Sequence, residues 1–281
     1  MLFLFTSLAL AQSFPTQSDH EMSPERIEPD FGSISMDLQI YDVVNGQTTS
    51  DFDAVGGLAA VDEEGWVYPF CSGTLVTDSL VLTAAHCVEA LSEIPDNLDL
   101  MGFIFVVGTD MSESGIDELA WINGAEMHPD YSSSTLANDV GLLQLTSPME
   151  TVEPMCLNSL EVTDAWLGVA LDYVGWGITG VDATASAGVK RTVTVPVVDH
   201  DTTHIITYAD GQNICSGDSG GAAIVELEDG RRMLAGVNSY GFNIYGGSLD
   251  CDTDGAAGAA ARVDAALPWI TQYTGDAATP R

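Results

Sequence analysis

Residues 71–87 read CSGTLVTDSLVLTAAHC, and this stretch decides the fold. Its apolar residues fall in short runs, Leu80-Val81-Leu82 among them, separated by Thr, Asp and Ser. Short runs bounded by turn-forming residues read as strands. The same texture extends outward through Phe103 to Val107, Val140 to Leu145, Val193 to Val198, Ala222 to Val225 and Met233 to Val237. From Val43 onward the residues therefore predict an all-β barrel or sandwich. The exception is the last segment. Asp264 to Tyr273 predicts a helix capped by Asp264, with Pro268 tolerable only in its first turn.

Upstream, residues 12 to about 42 are rich in Ser, Pro, Gln, Asp and Glu and predict a linker or pro-segment. Met1 to Ala11 is a short apolar run ending in Ala9-Leu10-Ala11, the pattern of a cleaved secretory signal, though without a basic start. The division expected is 1–11 signal peptide, 12–42 pro-segment, 43–274 folded domain and 275–281 tail. No apolar run reaches bilayer-spanning length, so no membrane association is expected once the signal is removed. Acidic residues number 42 against 7 basic ones, a formal charge of −35. That field repels phosphates and disfavours nucleic acid as a partner. It also keeps the chain soluble while destabilising the compact state until salt screens it. A saline setting and an acidic secreted protein with no salt requirement both fit. Five cysteines, Cys71, Cys87, Cys156, Cys215 and Cys251, predict disulfides in an exported chain with one thiol left over, in no particular pairing.

Three segments carry chemistry: Thr83 to Cys87 around His86, Asn138 to Leu143 around Asp139, and Cys215 to Gly221 around Ser219. A serine hydroxyl is a weak nucleophile at neutral pH and needs a base within hydrogen-bond reach. Histidine suits that role because its ordinary pKa lies near neutrality. A buried carboxylate fixes the imidazole tautomer and stabilises the imidazolium that forms. Apolar residues after Asp139 predict its burial. Glycines beside Ser219 let backbone N–H groups approach a developing oxyanion, although a tight turn alone accounts for them equally well. His20, His128, His200 and His204 are the rival imidazoles, and none has the Thr-Ala-Ala-His-Cys setting of His86.

Together these segments, in the order His, Asp, Ser, resemble the chymotrypsin/trypsin family of serine proteases. The resemblance runs from Val43 to about Tyr273 and looks like a very acidic, bacterial-looking, secreted member. It implies two six-stranded antiparallel β-barrels with a C-terminal helix. It makes His86, Asp139 and Ser219 a catalytic triad, with the N–H groups of Gly217 and Ser219 as the oxyanion hole. Ser239-Tyr240-Gly241 resembles the strand that binds substrate backbone, with Tyr240 where Trp is usual. Gly175-Trp176-Gly177 resembles a family turn, and Arg262-Val263 with Pro268-Trp269-Ile270 the final strand and helix. Asn213 falls at the base of the specificity pocket, with Gly241 and Gly258 as wall positions. An uncharged Asn213 does not support strict Arg or Lys specificity, so a bulky apolar or polar residue is expected before the scissile bond. Disulfides Cys71–Cys87 and Cys215–Cys251 are implied, leaving Cys156 as a free buried thiol or an intermolecular bridge. Val43-Val44-Asn45-Gly46 resembles the amino terminus gained on zymogen cleavage, whose ammonium pairs with Asp218. Asp42 precedes it where Arg or Lys is usual. The partners implied are protein or peptide substrates of a monomeric, extracellular or periplasmic enzyme without a cofactor. Structural Ca²⁺ occurs in the family, but the acidic loop between Glu89 and Glu118 has no recognisable ligand spacing.

Two other readings weigh less. A non-catalytic homologue typically loses a triad residue, and none is lost here. Gly217 to Gly221 also fits the G-x-S-x-G elbow of an α/β-hydrolase esterase, but no histidine follows Ser219 to serve as its base.

Overall fold

The computed structural model describes residues 46–93, 100–178, 186–246, 251 and 253–275. The expected signal peptide and pro-segment, Val43, and all of the tail but Gly275 lie outside those residues.

Twelve of the thirteen strands among the described residues form two closed antiparallel barrels. In the first, β2 (Val55–Asp62), β3 (Val67–Leu75), β4 (Leu80–Thr83), β7 (Gly141–Leu145), β6 (Ile116–Met127) and β5 (Leu100–Gly108) close in that order. In the second, β9 (Arg191–His200), β10 (His204–Thr207), β13 (Ala256–Arg262), β12 (Arg232–Asn243), β11 (Ala222–Glu226) and β8 (Ala170–Gly175) run in order, and β8–β9 pairing closes the ring. The short β1 (Gln47–Thr48) adds to the edge of β9. Helix α1 (Ala85–Glu93) follows β4, and α2 (Val263–Thr274) ends the described chain. This is the expected architecture of two six-stranded barrels and a C-terminal helix.

The predicted apolar runs supply the core. Leu58, Leu75, Leu82, Phe105, Leu142 and Leu143 fill the first barrel and are almost wholly buried. Val174, Ala222, Ile224, Leu234 and Val237 of the second barrel join the same cluster, so one apolar seam fuses the two. Strand β13 reads AAGAAAR, a poor strand former by composition. It is a strand because β10 and β12 bond to its two edges. Its Ala260 shares a core with Tyr173, which is fully buried and accepts a hydrogen bond from Thr207 Oγ1 at 3.0 Å.

Two expectations need correction. Asp264 does not cap α2: the helix starts at Val263 after Arg262, which makes no side-chain cap bond. The Asp264 carboxylate is instead held by Arg262 at 2.6 and 3.1 Å and by the Val162 N–H at 3.0 Å. Pro268 consequently lies in the helix interior, past the first turn. Its missing donor is offset by burial of Val263, Ala266, Trp269 and Ile270 on the apolar seam. Cys156 is a free thiol but exposed, not buried, because it sits on the inter-barrel connection while its neighbour Leu157 takes the core position.

Candidate active site

His86 is the second residue of α1, and Asp139 lies just ahead of β7. Asp139 is fully buried, whereas the His86 side chain keeps 28% exposure. One carboxylate anchors the imidazole twice: Oδ1 accepts the His86 backbone N–H at 2.9 Å, and Oδ2 meets His86 Nδ1 at 2.7 Å. Oδ2 also accepts Ser239 Oγ at 2.5 Å, across from the second barrel. A hydrogen on Nδ1 leaves Nε2 with a lone pair facing outward, the tautomer a general base needs. Asn138, at φ 53°, makes the turn into Asp139, and its side-chain amide donates to Asp130 O at 3.0 Å.

Ser219 is half-buried in the loop between β10 and β11. Its carbonyl accepts the Ser72 N–H at 2.8 Å, and Ser72 Oγ donates to Gly217 O at 2.8 Å. Gly220, at φ 81°, lies so close to Thr83 Oγ1 and the Ser72 carbonyl that a Cβ would collide with both. The serine's backbone is thus seated on the Thr83-Ala84 turn that leads into His86. Below it, Asp218 Oδ1 accepts the Gly177 N–H at 2.9 Å and Oδ2 the Cys215 N–H at 2.8 Å. Burial pushes the Asp218 carboxyl up to about 6, against the pull of those two N–H groups and of the Arg191 guanidinium. The N–H groups of Asp218, Gly220 and Gly221 bond to Cys215 O, Asn238 O and Asp218 O. Those of Gly217 and Ser219 have no protein acceptor among the described residues.

The residues expected at the substrate strand and pocket also come together. β11 pairs with β12 only as far as Val237, so among the described residues Ser239 to Gly241 have β13 on one edge and no strand on the other. Tyr240 stands edge-on to His204, with ring centres 5.3 Å apart. Asn213 is buried, and its Nδ2 lies 3.4 Å from Ala257 O. A Cβ on Gly258 would stand 3.0 Å from Asn213 Oδ1, and one on Gly241 3.7 Å from Nδ2, so both glycines face this amide. Disulfides join Cys71 to Cys87 beside His86 and Cys215 to Cys251 beside Asn213.

The rival histidines are otherwise engaged. His128 packs edge-on to Trp269 at 5.1 Å, and burial lowers its pKa. His200 Nε2 meets Asp164 at 3.1 Å, and His204 Nε2 meets Leu136 O at 2.9 Å. His20 is outside the described residues. Among those residues one group has metal-ligand proximity, Cys71, His86 and Cys87, and its two sulfurs are already bonded to each other. In the acidic loop, Asp110 accepts the Ser112 N–H at 2.9 Å, and Glu118 accepts the N–H groups of Glu150 and Thr151 at 2.9 Å, so both spend oxygens on the protein's own donors.

Sequence reasoning passed over Ser72, whose hydroxyl accepts the Trp176 N–H at 2.9 Å while holding Gly217. It also passed over the bond from Ser239 to Asp139. Lys190 and Arg191 were missed too, and both are fully buried. The available signal was an adjacent cationic pair heading a strand in a chain with 7 Lys and Arg in all.

Fold and site define a class: a two-barrel β-protein of the serine-peptidase type, with an imidazole–carboxylate pair at the seam and a glycine-flanked serine loop against it. A family model described as Trypsin matches residues 44–270. The chain belongs to the trypsin family of serine endopeptidases, hydrolases of proteins and peptides. It is 27% identical to brachyurin of Leptuca pugilator, over 79% of this chain and 98% of that protein. It is 27% identical to a trypsin of Phaedon cochleariae, over 81% of this chain and 91% of that one. The serine protease filzig of Drosophila melanogaster is 29% identical over 82% of this chain but only 14% of its own length. These relatives come from a crustacean and from insects, which does not support the bacterial cast expected above. No helix among the described residues is long and apolar enough to cross a membrane.

Proposed function

We propose that the protein is a secreted endopeptidase in which Ser219 is the nucleophile, His86 the general base and Asp139 the group that fixes the base. Ser219 Oγ attacks the scissile carbonyl carbon as its proton passes to His86 Nε2. The carbonyl oxygen becomes an oxyanion held by the N–H groups of Gly217 and Ser219. The C–N bond then breaks, His86 returns the proton to the leaving amine, and the acyl group stays on Ser219. Water, deprotonated by His86, attacks that ester and releases the acid, restoring the serine. One observation carries the reading: a histidine locked through Nδ1 on a buried carboxylate, beside a serine loop in which the N–H groups of Gly217 and Ser219 have no protein acceptor among the described residues.

Substrate backbone is proposed to add as a strand to the open edge of Ser239-Tyr240-Gly241. The neutral amide of Asn213 supports a preference for a bulky apolar or polar residue before the scissile bond. Cleavage rates on matched peptides ending in Phe, Leu, Gln or Arg test this, and a dominant Arg rate overturns it. Synthesis as a zymogen cut before Val43, with the new ammonium meeting Asp218, rests on the Val43 to Gly46 motif. Amino-terminal sequencing of active enzyme tests that step. The triad itself is tested by Ser219→Ala, which should lose fluorophosphonate labelling and drop kcat by about 10⁶-fold. Retained proteolysis in that variant rules the mechanism out.

A further inference from the structure

The mechanism above leaves two fully buried cations unused, Lys190 and Arg191 at the head of β9. Lys190 points away from the serine loop: its Nζ lies 3.5 Å from Phe52 O and is faced by Asp51, Asp53 and Asp117. Arg191 points toward it. Its Nη1 donates to the carbonyls of Ser186, Val189 and Gly177 at 2.9, 3.0 and 3.3 Å. Gly177 is the residue whose N–H clamps Asp218 Oδ1. The same glycine backs Gly217, where an added Cβ would stand 2.8 Å from Gly177 Cα. The register agrees, since Gly175 pairs with Arg191 and has Asp218 packed directly on its Cα.

A charge taken out of water is costly unless an opposite charge and hydrogen bonds compensate it. Asp218 receives two N–H bonds from its own barrel, and Arg191 holds the carbonyl of Gly177, the residue that supplies one of them. The loop above them is already arranged with Asp218, Gly220 and Gly221 bonded inward. The sequence adds a separate reason to look for a built-in cation: Asp42, not a basic residue, stands before Val43.

Building on the proposed protease function, we infer that Arg191 is a positioning residue for the oxyanion loop. Its guanidinium fixes the Gly177 peptide and supplies standing positive charge to Asp218, so that the loop is ordered, and the serine reactive, before any cleaved amino terminus arrives. Processing at Val43 then adds to an arrangement that Arg191 already holds. The inference assigns Arg191 no contact with substrate, so its loss should lower kcat and leave KM alone.

The test uses the full chain, verified intact by mass, beside the processed enzyme. Labelling by a fluorophosphonate and kcat and KM on one peptide amide are measured for wild type, Arg191→Gln and Arg191→Lys, with near-UV circular dichroism as the check on folding. Intact wild type should label, Arg191→Gln should lose about 10²-fold in labelling rate and kcat with KM within about two-fold, as for loss of an oxyanion donor. Arg191→Lys, which keeps the charge, should recover to within about three-fold of wild type. An intact wild type that stays unlabelled while the processed form labels overturns the inference. So does wild-type reactivity in Arg191→Gln, or equal loss in both variants, which would make the role one of packing. If Arg191→Gln does not fold, Arg191→Lys decides alone: about three-fold retention supports the inference and a loss beyond about ten-fold overturns it. A wild type that neither labels nor cleaves in either form sinks the protease reading itself, a different failure.

Discussion

Each barrel buries one carboxylate in a loop that leads into an interior strand, and the two are held by different means. Asp139 of the first barrel takes the ring and backbone N–H of His86 and reaches across the seam to the Ser239 hydroxyl. Asp218 of the second barrel takes, among the described residues, only backbone N–H groups, those of Gly177 and Cys215, both from its own barrel. On the proposed mechanism the first carboxylate orients a side chain that moves a proton, and the second orders a stretch of backbone that holds still. Burial alone does not tell them apart, since both are almost wholly buried. What separates their roles is the kind of donor each one collects.

The sharpest way to break this contrast is to make both carboxylates amides. Asp139→Asn puts a donor where His86 Nδ1 also donates, forcing the ring into the wrong tautomer, and kcat should fall by about 10⁴-fold. Asp218→Asn keeps an oxygen for one backbone N–H and loses the other bond and the charge, so its kcat should fall by about 10²-fold. Steady-state kinetics on one peptide amide compare the two directly. Equal losses would mean that both acids serve the loop, or both the imidazole, and the division drawn here would not stand.

Three strands of each barrel were legible in the sequence as short runs of Leu, Val, Ile, Phe and their like, because such runs announce buried strands wherever they occur. β13 is built from alanine and becomes a strand only because β10 and β12 bond to its edges, which no local pattern encodes. Single side chains followed the same rule. His86, Asp139 and Ser219 stood out as candidates because their neighbours in sequence are distinctive. Ser72 was not, because its meaning lies in contacts to Gly217 and Trp176, more than a hundred residues away along the chain. Asp264 looked like a helix cap from its position, but Arg262 and the Val162 N–H claim its carboxylate. The exposure of Cys156 was equally invisible, since periodicity ranks a run of residues and not one connection residue.

Asp218 also gives the second barrel a response to pH. Its ordinary value is 3.8, and in the folded chain burial raises it to about 6. Between those values the native state holds a proton that the unfolded chain has released. The group therefore favours folding fully below about 4, and that contribution is lost as pH rises through about 6, about 3 kcal/mol in all. Denaturant unfolding of wild type and Asp218→Asn between pH 4 and 7 should differ in slope by that amount, with the variant flatter. A slope unchanged by the substitution would remove Asp218 as the source. Repeating the comparison on enzyme processed at Val43 sharpens it, because an ammonium beside the carboxylate would pull its pKa down and shrink the difference.

The smallest effect expected is that of salt, and it bears on the surface of both barrels and not on their interiors. At a formal charge of −35 the exposed acids repel one another, and molar salt shortens the screening length to about 3 Å. Relief of about 1 kcal/mol would raise Tm by about 2–4 °C for a domain of this size. Buried charges are screened far less, and sites that share no partner contribute additively. Asp218→Asn should therefore show the same rise in Tm from low to molar sodium chloride as wild type, displaced by a constant. A rise that disappears in the variant would locate the repulsion inside the second barrel, beneath the serine loop. No rise in either protein would remove the case for a saline setting and leave the acidic surface as a matter of solubility alone.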